Sequence, residues 1–281
     1  MTNHDLIQTV RAQTSTQAWL TCCELLLKSG PERTAFNLIV AIHDPVTLSG
    51  GDRAIAGLVD RFLLSHDSSP LVTVMNTIFP GGFYKQGGAK AVFHEFPEAY
   101  EFSNRNWGTY AGRMFTPAPR KSGPPQSRIQ TIIHKLKRNL EPQGLRMRAS
   151  YEVDILDSSL DEDLSLYCAQ TDSDLNRGQP CLAHISFKLH TDDTLSLTAF
   201  YRSQHYITKG LGNFLGLGQL LYFVATEAGL TPGALIVHAS MASIDLRTKS
   251  PSWKFLDVQH LIEDCKVHII KPIGAPELLA V

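Results

Sequence analysis

Residues 180–238 read PCLAHISFKLHTDDTLSLTAFYRSQHYITKGLGNFLGLGQLLYFVATEAGLTPGALIVH. Two alternating strands flank the polar run HTDDT at 190–194, the pattern of a β-hairpin. A polar turn, QHYITKGLGN (204–213), leads into an apolar helix over 214–229. Thr231-Pro232-Gly233 then turns the chain into another strand. A hairpin, a buried helix and a returning strand predict one α/β domain with a mixed or antiparallel sheet, not a series of βαβ units.

The flanks extend this pattern. Ser15 or Thr16 can cap a helix running to about Lys28 and closed by Ser29-Gly30-Pro31. Phe36 to Ile42 reads as a buried strand, and Ile55, Leu58, Val59, Phe62 and Leu63 have helical spacing. PLVTVMNTIFP (70–80) is β-rich, and the four glycines between Gly81 and Gly88 predict an exposed, mobile loop. After the linker TPAPRKSGPPQ (116–126), SRIQTIIHKLKRNL (127–140) is amphipathic, with Ile129, Ile132, Ile133 and Leu136 on one face. LRMRASYEVDIL (145–156) predicts a strand that carries Arg146 and Arg148 on the same face. DSSLDEDLSLY (157–167) and the polar loop TDSDLNRGQ (171–179) follow; no internal repeat or low-complexity segment occurs, and residues 1–281 read as a single domain.

The composition is that of a globular protein, 43% hydrophobic and 19% charged. A net charge of -1 gives no basic field for a nucleic acid, while a local arginine cluster still suits a small anion. Five cysteines at 22, 23, 168, 181 and 265, without a CxxC, point to free thiols in a reducing compartment. With no signal-like apolar run and no stretch of 18 apolar residues, the expected setting is cytoplasmic, away from membranes.

Three candidate chemistries compete with plain structural roles. Gly210 and Gly212 invite a dinucleotide-binding reading, but Leu215 stands where the third glycine of G-x-G-x-x-G is needed, and a hairpin precedes them. The eleven histidines show no metal-ligand spacing; one such as His134 or His238 is more often packed or exposed than a ligand. Cys181 at a strand start is most simply a small buried apolar residue. The hairpin, however, returns Arg202 to its side, and a guanidinium there would lower the thiol pKa and favour a nucleophilic thiolate.

The order Pro180-Cys181, hairpin, Arg202-Ser203, Asn213 and Leu230-Thr231-Pro232-Gly233 resembles the catalytic core of thymidylate synthase over about 60 residues. Weaker resemblances are Trp107 to Arg113 (WGTYAGR), which includes Tyr110, then Glu32-Arg33-Thr34, and the tail APELLAV (275–281). Arg146 and Arg148 fall near the family's paired arginines that reach across the dimer to the neighbouring subunit's phosphate site, with Met147 intervening; exposed strand arginines are the alternative. Three places depart from the pattern. His205 stands where the family has an aspartate that engages folate, and Ser243-Ile244-Asp245 replaces a His-x-Tyr that holds the sugar. NTIFPGGFYKQGG (76–88) replaces the helix with the essential glutamate, for which Glu95 and Glu98 are candidates only by proximity.

The resemblance implies a three-layer α/β (α+β) fold with a large mixed, mostly antiparallel sheet, and a homodimer. It implies Cys181 as the nucleophile toward C6 of a dUMP- or UMP-like pyrimidine nucleotide. Arg202, Ser203, Arg33, Arg146, Arg148 and Tyr110 would bind the nucleotide, with Asn213 reading the O4/N3 edge of the base. The cofactor implied is 5,10-methylenetetrahydrofolate, with no metal, and the reaction is methylation or hydroxymethylation at C5. Two alternatives remain open: a nucleotide-binding sensor or partner that has lost folate chemistry, and the same covalent step with a non-folate electrophile.

Overall fold

A computed structural model describes residues 6–100, 108–119, 123–155, 180–269 and 277–278. Cys168, Trp107, residues 157–167 and 171–179 and most of the tail 275–281 lie outside them. The hairpin forms as the alternation predicts: β5 (Leu182–Leu189) and β6 (Thr194–Tyr201) pair antiparallel. They join a seven-stranded sheet with β1 (Gln8–Ala12), β2 (Thr34–Ile42), β4 (Tyr151–Asp154) and β8 (Thr231–Ser243) in the order β1-β2-β8-β6-β5-β4. The two-residue β7 (Gln204–His205) continues beside β8. The pairings β2–β8, β4–β5 and β5–β6 are antiparallel; β1–β2, β6–β8 and β7–β8 are parallel. The sheet is mixed, as expected, with antiparallel and parallel pairings in equal number among the described strands. A short pair, β3 (Thr47–Leu48) with β9 (Glu277–Leu278), lies apart.

Alternate residues of each strand bury on one face. Leu38, Val40, Val237, Ala239, Ile185, Phe187, Leu197 and Tyr201 are buried there, against α1 (Ser15–Lys28), α7 (Arg128–Leu140) and α8 (Leu211–Ala228). An outer set of helices, α2 (Gly50–Ser65), α3 (Leu71–Asn76) and α9 (Phe255–Ile269), packs onto α1 and α8 and makes a third layer. Sandwiched between layers, α8 buries fifteen of its eighteen residues, which explains its apolar sequence on every side. Helix ends follow their capping signals. Ser127 and Gln130 form a capping box on α7, and Ser49 with Asp52 forms one on α2. Thr14, one residue before the expected position, caps α1.

Two segments differ from the reading above. PLVTVMNTIFP forms helix α3 instead of a strand: Leu71 N–H donates to Asp60 Oδ1 at 2.7 Å, and Leu71 and Val74 are buried toward α8. The Gly81–Gly88 stretch is not a loop but most of helix α4 (Gly81–Lys90), bent where Gly88 takes φ 61°. Aromatic packing overrides the weak helix propensity of glycine here: Tyr84 meets Phe79 and Phe223, and Phe83 meets Phe96. A π-turn (Ala91–Glu95) and α5 (Phe96–Ala99) continue from it, and α6 (Tyr110–Phe115) follows.

The glycines of GLGNFLGLG serve this packing. A Cβ on Gly212 would lie 2.6 Å from Val74 Cβ, and one on Gly218 would lie 2.3 Å from the carbonyl oxygen of Pro45. Gly218→Ala is therefore expected to destabilise the fold by about 1–3 kcal/mol, the range for overpacking against unyielding neighbours. Gly57→Ala in α2, whose Cβ would meet only Arg61 Nη1 at 3.6 Å, should instead stabilise by about 0.5–1 kcal/mol through helix propensity. Urea denaturation of the two variants checks the opposite signs. Equal behaviour would show that α8 is not tightly seated.

Candidate active site

The strand register gathers one end of the sheet. Leu182 pairs with Tyr201, Tyr201 with Ala239, and Ser243 with Thr34. Cys181, Arg202, Ser203 and Arg33 consequently sit at the same end, on neighbouring strand termini. Cys181 immediately precedes β5 and is half-buried, whereas Cys22, Cys23 and Cys265 are fully buried free thiols.

The Cys181 backbone is held from both sides. The Tyr110 hydroxyl, at the start of α6 and almost fully buried, accepts from Cys181 N–H at 3.2 Å and Leu182 N–H at 3.3 Å. Arg202 N–H donates to the Cys181 carbonyl at 2.8 Å. The Arg202 guanidinium donates from Nε and Nη2 to the Pro180 carbonyl, at 3.1 and 2.8 Å. Tyr110 thus builds the site from beneath, through the backbone of the cysteine. Burial pushes its phenol up to about 12, so it stays protonated over the neutral range.

The thiol itself responds to three influences. Burial pushes its pKa up, and the charges of Arg202 and then Lys209 pull it down. Burial prevails, so the thiol of the free protein lies above its ordinary value. Arg202 acts on the thiol in the expected direction, but a half-buried sulfur loses more hydration than the neighbouring guanidinium returns. Sequence reading did not single out Lys209. Its signal lay in the polar turn before α8, where Tyr206–Gly210 forms a π-turn.

Asn213 is buried in the first turn of α8, one helical turn beyond Lys209. Ser203 is half-buried between β6 and β7. Arg33 has left-handed backbone (φ 50°), stacks its guanidinium 4.3 Å from the centroid of Phe255 in α9, and donates from Nη1 to the Pro31 carbonyl at 2.9 Å. It lies at the correct sheet end, though its described contacts are structural. Glu95 and Glu98 are exposed, on the π-turn and α5.

Arg146 and Arg148 are not gathered with these residues. Residues 145–150 do not form a strand, because Arg146 takes φ 44°, outside extended backbone. The Arg146 guanidinium pairs with Asp193 in the hairpin turn, and both side chains are exposed. Arg146, Arg148 and His190 line a cleft of about 370 Å³ at the hairpin tip. The eight residues of β5 separate this cleft from Cys181, on the order of 25 Å at ~3.3 Å per residue.

The residues at the three departures have defined places. The exposed His205 lies beside Ser243, Nδ1 to Oγ at 3.2 Å. Asp245 caps the π-turn, its carboxylate accepting from Ile207 N–H at 2.8 Å and Thr208 N–H at 3.2 Å. A carboxylate so engaged explains Asp245 as a structural substitution. His205 thus has no carboxylate at the position where the resemblance would place the folate-engaging aspartate. Among the described residues no group of three or more His, Cys, Asp or Glu is placed to hold a metal, and no helix is long and apolar enough to cross a membrane.

Comparison with known proteins bears on the resemblance. No protein-family model matches the chain. A protein of Methanococcoides burtonii named "Putative thymidylate synthase" is 30% identical over 116 residues, which is 41% of this chain and 45% of that protein. The match thus spans less than half of the relative's length. Thermostable thymidylate synthase A from Bacillus subtilis aligns over 94% of this chain and 87% of its own, with a TM-score of 0.49 and 11% identity. The motifs around Cys181 and Arg202 and the archaeal relative lead to one statement: this chain is similar to thymidylate synthase.

Proposed function

We propose that this chain binds a pyrimidine nucleotide and transfers a one-carbon unit to C5 of its base through a covalent adduct of Cys181 at C6. The observation that carries the reading is the support of Cys181. Its backbone is fixed by Tyr110 and Arg202, and its sulfur is the half-buried thiol among the described cysteines. In the reaction the thiolate forms a bond to C6, and the C5–C6 π electrons move onto O4 as an enolate. That converts C5 into a nucleophile and divides one hard step into two easier ones. C5 then bonds to the one-carbon electrophile, its proton leaves, and departure of the sulfur from C6 as thiolate restores the ring. Arg202 and Ser203, with Arg33 just before β2 and across β8 from them, supply phosphate recognition, and charge-assisted bonds remote from the ring fix it against the sulfur. Asn213 offers both a donor and an acceptor to the O4/N3 edge. The donor implied by the resemblance is 5,10-methylenetetrahydrofolate.

The adduct alone tests the reading, because a reversible enolate exchanges the C5 hydrogen with solvent without a donor. Incubation with C5-tritiated UMP, dUMP and CMP is expected to release label to water from at least one. Nucleotide binding in a thermal-shift assay with no release from any would favour the second reading, a nucleotide sensor. The elevated thiol and the exposed positions of Glu95 and Glu98 support that second reading.

We also propose a homodimer. The sheet face opposite the helices carries Phe36, 62% exposed, with partly exposed Ile39, Ile236, Thr198 and Phe200, so apolar area lies on a face no described helix covers. Sedimentation equilibrium is expected to give twice the 31.1 kDa chain mass. A monodisperse monomer at high concentration would remove this assembly, and with it a shared role for Arg146 and Arg148.

A further inference from the structure

The sheet face that no described helix covers has an apolar middle and a charged rim. One cross-strand row runs Asp154 on β4, His184 on β5, Phe200 on β6, His238 on β8 and Ile39 on β2. At the β4 edge the charges close on one another. The ring nitrogens of His184 lie 2.8 Å from Asp154 Oδ1 and 2.8 Å from Glu152 Oε2, and Lys188 bonds to the other Glu152 oxygen. Both carboxylates are thus engaged within their own chain, so a second copy of this face meets a rim of balanced sign.

The middle holds one titratable group. His238 is half-buried, its ring perpendicular to that of Phe200 with centroids 5.1 Å apart. Asn37 Nδ2 donates to the Leu6 carbonyl at 3.2 Å, which turns its Oδ1 toward His238 Nε2, also at 3.2 Å. Nε2 therefore carries hydrogen, and Nδ1 is the nitrogen at which a further proton adds. Nothing beside the ring balances that proton. Among the described residues, the strands packed against it present Phe200 and Thr198 from β6, and Asn37 and Ile39 from β2. Its own strand adds Ile236 and Ser240 on the same face, and none of these is ionisable. His184 lies two strands away on β5. Glu152 and Asp154 stand three strands away on β4, about 14 Å at the usual strand spacing, and are already engaged. On the other side β1 brings Arg11, which is itself a cation.

We propose that His238 makes the pairing of two copies across this face sensitive to pH: the neutral ring packs into the interface, and the protonated ring opposes it. The inference rests on the homodimer reading above. A proton on Nδ1 is hydrated in the separate chain and stranded between two apolar faces in the pair. The monomer therefore binds it more tightly, and a fall in pH favours dissociation. Two-fold pairing brings one His238 from each copy, so two protons are taken up per dimer parted.

Sedimentation equilibrium of the full chain at pH 7.5 and 5.5 reads the effect, with far-UV circular dichroism at both values to separate dissociation from unfolding. For the wild type the dimer Kd is expected to rise roughly a hundredfold on acidification, two protons over about one pH unit of histidine titration. His238→Gln, neutral at both values, is expected to stay dimeric at both. His238→Lys, charged at both, is expected to be monomeric at pH 7.5. A wild-type dimer equally tight at pH 5.5 would overturn the pH control and leave the dimer standing. So would a His238→Gln variant that dissociates as the wild type does, or a His238→Lys variant that remains dimeric. A wild-type monomer at pH 7.5 would overturn the dimer itself, and this inference with it.

Discussion

Cys181→Ser is expected to abolish release of the C5 label, by roughly three orders of magnitude or more, while nucleotide affinity changes little. The size follows from the nucleophile: a serine hydroxyl carries almost no alkoxide at neutral pH, and effects of this order accompany loss of a catalytic nucleophile. The retained affinity follows from the supports, since the contacts of Tyr110 and Arg202 are with the backbone of residues 180–182 and survive the change. Burial holds the Cys181 thiol above its ordinary value, so the thiolate fraction in the free protein, and label release with it, should rise with pH through the mildly alkaline range. The remaining thiols are controls. Cys22 and Cys265 are each pushed up to about 12 by burial, and Cys22→Ala or Cys265→Ala should leave release intact. Release that persists in Cys181→Ser would reject the covalent step.

Arg202→Ala is expected to weaken nucleotide binding by one to two decades and nucleoside binding by much less. A charge-assisted contact of this kind contributes about 1.5–3 kcal/mol, which sets the scale. The structure adds a complication that Arg202→Lys resolves. The guanidinium also grips the Pro180 carbonyl through two nitrogens, a fork that lysine cannot reproduce. If the grip on Pro180 is all that matters, Lys and Ala variants behave alike, and nucleoside and nucleotide affinities fall together. If phosphate recognition matters, the lysine variant keeps part of the discrimination between them. Isothermal titration with UMP and uridine distinguishes the two outcomes.

The hairpin, α1, α7 and the strand at 34–42 were legible because their hydrophobic period and capping residues agree. The site's grouping on one sheet end was legible too, since a hairpin must return residue 202 to residue 181. Elements whose conformation is decided by their neighbours were not. α3 and α4 carry β-branched or glycine-rich sequence, and they are helical because of what they pack against. Arg146 and Arg148 alternate convincingly in the sequence, but one left-handed residue removes the strand that alternation assumed. Lys209 went unnoticed because a π-turn has no sequence signature. The glycine run at the start of α8 lacks the spacing of a dinucleotide fingerprint, and its packing purpose shows only in three dimensions.

That purpose has an evolutionary consequence. With Gly212 and Gly218 against Val74 and Pro45, α8 has no slack in which to slide or roll. Lys209 and Asn213, at its leading end, therefore cannot be re-aimed by gradual drift of the helix. Side chains on other elements, such as the exposed His205, can be exchanged without touching that interior packing. A lineage can then wander far in sequence around an immobile helix, changing what it recognises before it changes where the recognition happens.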